Sequence, residues 1–314
     1  MRYTVRFGGA PFLVDLNVDN DSSRAARASL NRGMYDALHQ YLASATTPNA
    51  RLFAIESLAD WPGDAPRLKA WFDAEPNGPA LSAWAIQRIK WAWEARGGGY
   101  ANSVGDVAAQ TFFQRLNTAK ELLVRAVNQS KADATVLPWV IWLSRAKGDS
   151  AMGTSAFDAG VKRVPALRAL YSSMLLSHSS KWGGSDEEMF QFARHWTSQG
   201  ASAVLLIEAH YLACEQLELF SDARKGYWLR PDVLSDVLEA DQSCQAECQM
   251  GMNGIYVRNW LAYALWKCAQ PAKAKPHFQA IGKGANERPW RPVRRGFNWL
   301  FSPWSKARKQ ALRA

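Results

Sequence analysis

Few residues of this chain have the type and spacing to do chemistry. Cys244 and Cys248 stand four apart, which places both thiols on one face of a helix and would begin a zinc site if two further ligands converged there. The other cysteines, Cys214 and Cys268, and the histidines His39, His178, His195, His210 and His277 supply no second pair at a ligating interval. Free Cys otherwise packs as a small hydrophobe, so no metal and no cofactor are expected. Glu187 and Glu188 are neighbours, but adjacent helical side chains diverge by about 100° and do not form an acid-base pair. No histidine sits in a His-Glu-x-x-His or nucleophile-elbow setting. The loop Arg96-Gly97-Gly98-Gly99-Tyr100 lacks the preceding strand and the Lys-Ser/Thr ending of a phosphate cradle. It reads as a helix stop and a turn. No catalytic residue is assigned, and a chain that is not an enzyme is expected.

The segment Lys181-Trp182-Gly183-Gly184-Ser185-Asp186-Glu187-Glu188-Met189 carries the strongest local signal. Ser185 and Glu188 have capping-box spacing, and Asp186 and Glu187 place negative charge at the positive end of the helix dipole. Gly183 and Gly184 allow the sharp turn that must precede that helix. The acids oppose an anion at this helix start, so the segment is a joint between helices.

These residues must be positioned by helices. Apolar positions recur at steps of four from Ser22 onward, as at Leu30, Met34, Leu38 and Leu42. Asp64 reads as the cap of a helix carrying Leu68, Trp71 and Phe72, and Pro79 opens one carrying Leu81, Trp84, Ile89 and Trp93. Ser103 opens a long one with Val104, Val107, Phe112, Ala119 and Leu123 on its apolar face. Pro138, Pro165 and Pro231 mark further starts. Between Asn259 and Ile281 two such patterns, Leu261-Ala262-Leu265 and Ala274-Phe278-Ile281, flank Gln270-Pro271 in the manner of a tetratricopeptide helix pair.

Residues 1–19 differ, because Tyr3, Val5 and Phe7 alternate before Gly8-Gly9-Ala10-Pro11, and Phe12, Val14, Leu16 and Val18 alternate after it. That pattern predicts a β-hairpin. At the other end, residues 287–314 hold eight Lys and Arg against Glu287 alone, which supplies +7 of the chain's +10. Trp290, Phe297, Trp299 and Trp304 interleave with Arg294, Arg295 and the other bases. The favoured role of this tail is to cap the last helices, ahead of partner contact; membrane-surface contact or nucleic-acid binding is less favoured because the rest of the chain is nearly balanced in charge. The expected organisation is a hairpin over 1–19, a helical-repeat domain over 20–286 and a basic aromatic tail over 287–314.

With 314 residues, 48% apolar and 21% charged, the chain has the composition of a globular protein. Met1 to Leu16 is interrupted by Gly8-Gly9 and Pro11 and lacks the apolar core of a secretory signal. No apolar run reaches the roughly 20 residues of a membrane span, and a cytoplasmic protein with reduced thiols is expected.

From Trp91 to Arg194 the chain resembles a bacterial family of tetratricopeptide-like proteins marked by a segment like Ala95-Arg96-Gly97-Gly98-Gly99-Tyr100-Ala101 and a later one like Lys181-Trp182-Gly183-Gly184-Ser185, followed by Glu187-Glu188-Met189 and Phe192-Ala193-Arg194. Ser180 stands where that family has proline. The resemblance implies a mainly α fold, an α-solenoid of antiparallel helix pairs, and no established activity. Solenoids present a concave surface suited to holding one partner, so the expected function is protein binding. Its sharpest form is an immunity protein that neutralises a toxin or secreted effector. Arg96, Tyr100, Lys181, Trp182, Arg194, Trp290, Arg294, Arg295 and Trp299 are the candidate contact residues. The competing expectations are an enzyme with a site near the two glycine turns, holding His178 or His195 beside a carboxylate, and nucleic-acid binding through the tail.

Overall fold

A computed structural model describes residues 21–97, 105–129, 134–282, 287–290 and 303–314. The hairpin expected over 1–19 and the candidate residues Tyr100, Arg294, Arg295 and Trp299 lie outside them. The fold is mainly helical, with seventeen α-helices and no strand among the described residues. The chain forms two compact units, divided between Met174 and Leu175.

The first unit contains α1 (Asp21–Arg32), α2 (Tyr35–Ser44), α3 (Pro48–Leu58), α4 (Pro66–Ala74), α5 (Gly78–Arg96), α6 (Asp106–Gln129), α7 (Leu137–Lys147) and α8 (Ser150–Arg163), with α9 (Arg168–Ser177) crossing the division. Its centre is α5, which packs against α3, α4 and α6. Every residue from Ala80 to Lys90 is buried, the polar Ser82, Gln87, Arg88 and Lys90 among them. Arg88 survives there because it stacks between the rings of Trp84 and Trp91, 3.9 and 4.3 Å from their centroids. It also donates to the Gly63 and Asp64 carbonyls at 3.2 and 3.0 Å. Burial lowers its pKa to about 10.

Several starts differ from the sequence expectation in instructive ways. The run of four-residue steps is broken at Gly33, which has φ +72°, so Met34 precedes α2 and is 50% exposed while Leu30, Leu38 and Leu42 are buried. Ala65, not Asp64, is the N-cap of α4; it has φ +48° and makes no side-chain cap. Pro66 suits the first helical position, because its φ is already helical and its missing N–H would have no partner inside the helix. Val107, placed on the apolar face of α6, is 78% exposed, whereas Phe112, Ala119 and Leu123 are buried. Gly97 ends α5 at φ +71°, as the glycine loop requires.

The second unit contains α10 (Asp186–Ser198), α11 (Val204–Gln216), α12 (Asp222–Gly226), α13 (Pro231–Ser243), α14 (Gly251–Lys267), α15 (Pro271–Ile281), α16 (Glu287–Trp290) and α17 (Pro303–Arg313). Helix α11 is buried along Val204–Cys214 and packs against α10, α13 and α14. Helices α14 and α15 pack on each other, and the residues read as their interface, Leu261, Ala262, Leu265, Ala274 and Phe278, are fully buried. Helix α17 lies against α14 and α15 with Ala307 and Ala311 buried, and Trp266 Nε1 donates to Gln310 Oε1 at 2.6 Å.

The Lys181 to Met189 segment is a joint. Residues Ser180–Trp182 form one 3-10 turn, Gly183 follows at φ +94°, and the Glu188 amide donates to Ser185 Oγ at 3.1 Å. Gly184 is required for a different reason: a Cβ there would stand 2.1 Å from the carbonyl oxygen of His178. Backbone cannot move aside as a side-chain end can. Gly184→Ala is therefore expected to cost about 2–3 kcal/mol, and Gly183→Ala about 1 kcal/mol from its left-handed backbone alone. Urea unfolding of both variants checks the order; equal losses would contradict the close approach.

Candidate functional site

The described candidate residues divide between the units. Arg96 ends α5 with its guanidinium 4.9 Å from the Trp93 ring centre. Lys181 is exposed and Trp182 half-buried in the 3-10 turn. The Arg194 side chain, 58% exposed, is held by Asp236 at 2.8 Å. Trp290 is only 3% exposed, lies among Tyr263, Trp266 and Phe278, and donates to Asn259 Oδ1 at 2.8 Å. Its large ring completes the core beside α14.

A turn that the sequence reading passed over is the better candidate. Between α11 and α12, Leu219 and Phe220 are 60% and 78% exposed, and Phe220 has φ +75°. A bulky side chain in that region of backbone space is a strained outlier of about 1–3 kcal/mol that the surroundings must enforce. They do so from both sides. Arg224 donates to the Leu217 carbonyl at 2.8 Å and to that of Glu215 at 3.3 Å, and pairs with the Glu215 carboxylate at 2.5 Å. Ser221 accepts from the Arg224 amide at 3.2 Å as the α12 cap and donates to the Glu218 carbonyl at 2.8 Å. A hydrophobic residue just before a cap normally packs on the fourth helical residue. Here that residue is Lys225, paired with Asp222 at 2.9 Å, so Phe220 has no apolar partner of that kind. Leu229, at the other end of the α12 segment, is 62% exposed. The readable signal was an apolar pair directly before a Ser-Asp helix start with a lysine at the staple position.

Of the two histidines anticipated beside a carboxylate, His178 feels the charge of Glu188, which opposes the lowering of its pKa by burial. His178 stacks on Phe192 at 4.9 Å and His195 against Trp196 at 5.1 Å. The close carboxylate contacts belong to His210 with Asp236 at 2.9 Å, His277 with Asp241 at 2.8 Å and His39 with Glu75 at 3.1 Å. The first of these extends into a network. Asp236 cannot donate when ionised, so His210 Nε2–H donates to it, and Nδ1 accepts from the Tyr227 hydroxyl at 3.0 Å. Burial lowers the His210 pKa against the pull of Asp236 and raises that of Tyr227. A buried tyrosine kept protonated is a hydrogen-bond donor rather than a nucleophile, and the arrangement locks α11 to α13.

In the first unit Glu56 is wholly buried on α3 and accepts from Trp139 Nε1 at 2.8 Å. Burial, opposed by Lys90, raises its pKa to about 8. The folded chain then holds a proton there that the unfolded chain, with an ordinary carboxyl, releases near pH 4.5. A raised value contributes stability that is complete below the unfolded pKa and is lost as pH rises through the folded one. Wild type is expected to lose up to roughly 1.4 kcal/mol per pH unit from this group between pH 5 and 8. Urea midpoints against pH check this: Glu56→Gln should be flatter than wild type, and parallel curves would contradict it.

Among the described residues no group of three His, Cys, Asp or Glu could hold a metal ion, and no helix is long and apolar enough to cross a membrane. The class that fold and geometry define is a mainly helical protein with a hydrogen-bonded, solvent-facing apolar turn. No protein-family model, curated protein or solved structure matches the chain.

Proposed function

We propose that the chain is a non-catalytic helical-repeat protein whose second unit captures a protein partner with the Leu219-Phe220 turn. The observation that carries this reading is a strained, doubly clamped backbone that holds two large apolar side chains in water. Exposed aromatic residues on preorganised backbone make effective anchors, because little conformational freedom remains to be lost on binding. The burial pattern of α14 and α15 supports tetratricopeptide-like helix pairs, and the glycine segments at Arg96 and Lys181 support kinship with the bacterial family they resemble. The sharpest form of the function is a cytoplasmic immunity protein that occupies a toxin or secreted effector. Affinity capture from the native cell, with mass spectrometry, tests it using wild type and a Leu219→Asp/Phe220→Asp variant. One stoichiometric protein retained by wild type and lost by the variant is expected. A partner list unchanged by the substitutions would remove the turn from the account.

A further inference from the structure

The second unit is electrically divided. Residues 251–314 hold thirteen Lys and Arg against Glu287, whereas residues 175–250 hold five against twelve acids. The two stretches also use their cations differently. In the acidic one, Arg194, Arg224, Lys225 and Arg230 are each in an ion pair, with Asp236, Glu215, Asp222 and Asp232. In the basic one, the described ion pair joins His277 to Asp241, and among the described residues none holds Lys273, Lys306, Lys309 or Arg313. These four are exposed. Lys306, Lys309 and Arg313 fall at i, i+3 and i+7 of α17, opposite the buried Ala307 and Ala311, so they form one stripe. Lys273 is exposed on α15, the helix against which α17 packs.

Resting on the protein-binding reading, we infer that the face formed by α15 and α17 docks an acidic helical segment of the protein partner. The stripe runs for about 10 Å, two helical turns, which matches carboxylates at i, i+4 and i+7 of a facing helix. A long polyanion suits it less. The net charge of residues 175–250 is −7, and α13 of that stretch packs directly on α14, so a nucleic-acid backbone extended beyond the stripe meets repulsion. Each exposed pair adds little energy. The face acts by steering and selecting an acidic partner, with rates that fall as salt rises.

The test uses the full chain and three fluorescent probes at low and physiological salt: a 21-residue alanine-based helical peptide bearing glutamates at the matching positions, its lysine counterpart, and a single-stranded oligothymidylate of 20 nucleotides. Lys306→Glu/Lys309→Glu/Arg313→Glu alters only exposed residues, and circular dichroism verifies its fold. Wild type should bind the glutamate peptide, the variant should lose at least about tenfold, and the lysine peptide should bind the variant better than it binds wild type. Unchanged peptide affinity in the variant, or tighter binding of the oligonucleotide per probe charge, overturns the inference; so does wild-type self-association that the variant abolishes. None of these results bears on capture through Leu219 and Phe220, whose loss is scored separately with the turn variant.

Discussion

Trp290→Ala is expected to destabilise the second unit by about 3–5 kcal/mol, the range for removing a large aromatic from a packed core. The indole is 3% exposed, with ring centres of Tyr263 and Phe278 at 5.3 and 5.5 Å. Truncation also leaves Asn259 Oδ1, which accepts the indole N–H at 2.8 Å, without that donor in a fully buried side chain. Urea unfolding followed by tryptophan fluorescence and by circular dichroism measures the loss. Lys306→Ala, at an exposed position of the same C-terminal region, is the control and should stay within about 0.5 kcal/mol. Equal midpoints for the two variants would contradict the core assignment of Trp290.

Asp236→Ala is expected to cost about 3 kcal/mol, because it strips one partner from a largely buried pair and leaves the His210 Nε2–H without its acceptor. Asp236→Asn keeps an acceptor oxygen in place and should cost less, about 1–2 kcal/mol. The substitutions carry a second readout that a purely steric defect would not move. Asp236 raises the His210 pKa against the effect of burial, so its removal should lower that pKa further, as seen in imidazole proton shifts across pH. A His210 titration unchanged by Asp236→Ala would mean that the two side chains do not interact in solution.

Much of the helical scaffold was legible in the sequence because its signals are local. Proline at the starts of α5, α7, α13 and α15, Ser185 before α10 and Gly97 after α5 mark boundaries through backbone chemistry that needs no distant partner. The α14 and α15 interface was readable from small and large residues at helical spacing. Met34 and Val107 show where such reading fails, since an apolar residue in phase with its neighbours still faces water when a glycine breaks the helix or when no described element covers that turn. The division within α9 carries no composition signal. The His210 network joins residues from α10, α11, α13 and the Tyr227–Leu229 turn, separations that no motif spans. Trp290 sits among arginines in sequence, and only the fold shows which rings it packs against, Tyr263 and Phe278. The exposure of Phe220 depends on Arg224 and Ser221 fixing the preceding turn, which becomes visible only once their hydrogen bonds are known.

The central claim is that this chain works by holding a protein partner. It is tested most directly by co-expression with the product of the neighbouring gene, followed by size-exclusion chromatography with light scattering. The account predicts a co-eluting complex of fixed stoichiometry with wild type and separate peaks with Leu219→Asp/Phe220→Asp. Separate peaks with wild type, together with no stoichiometric partner captured from the native cell, would contradict it.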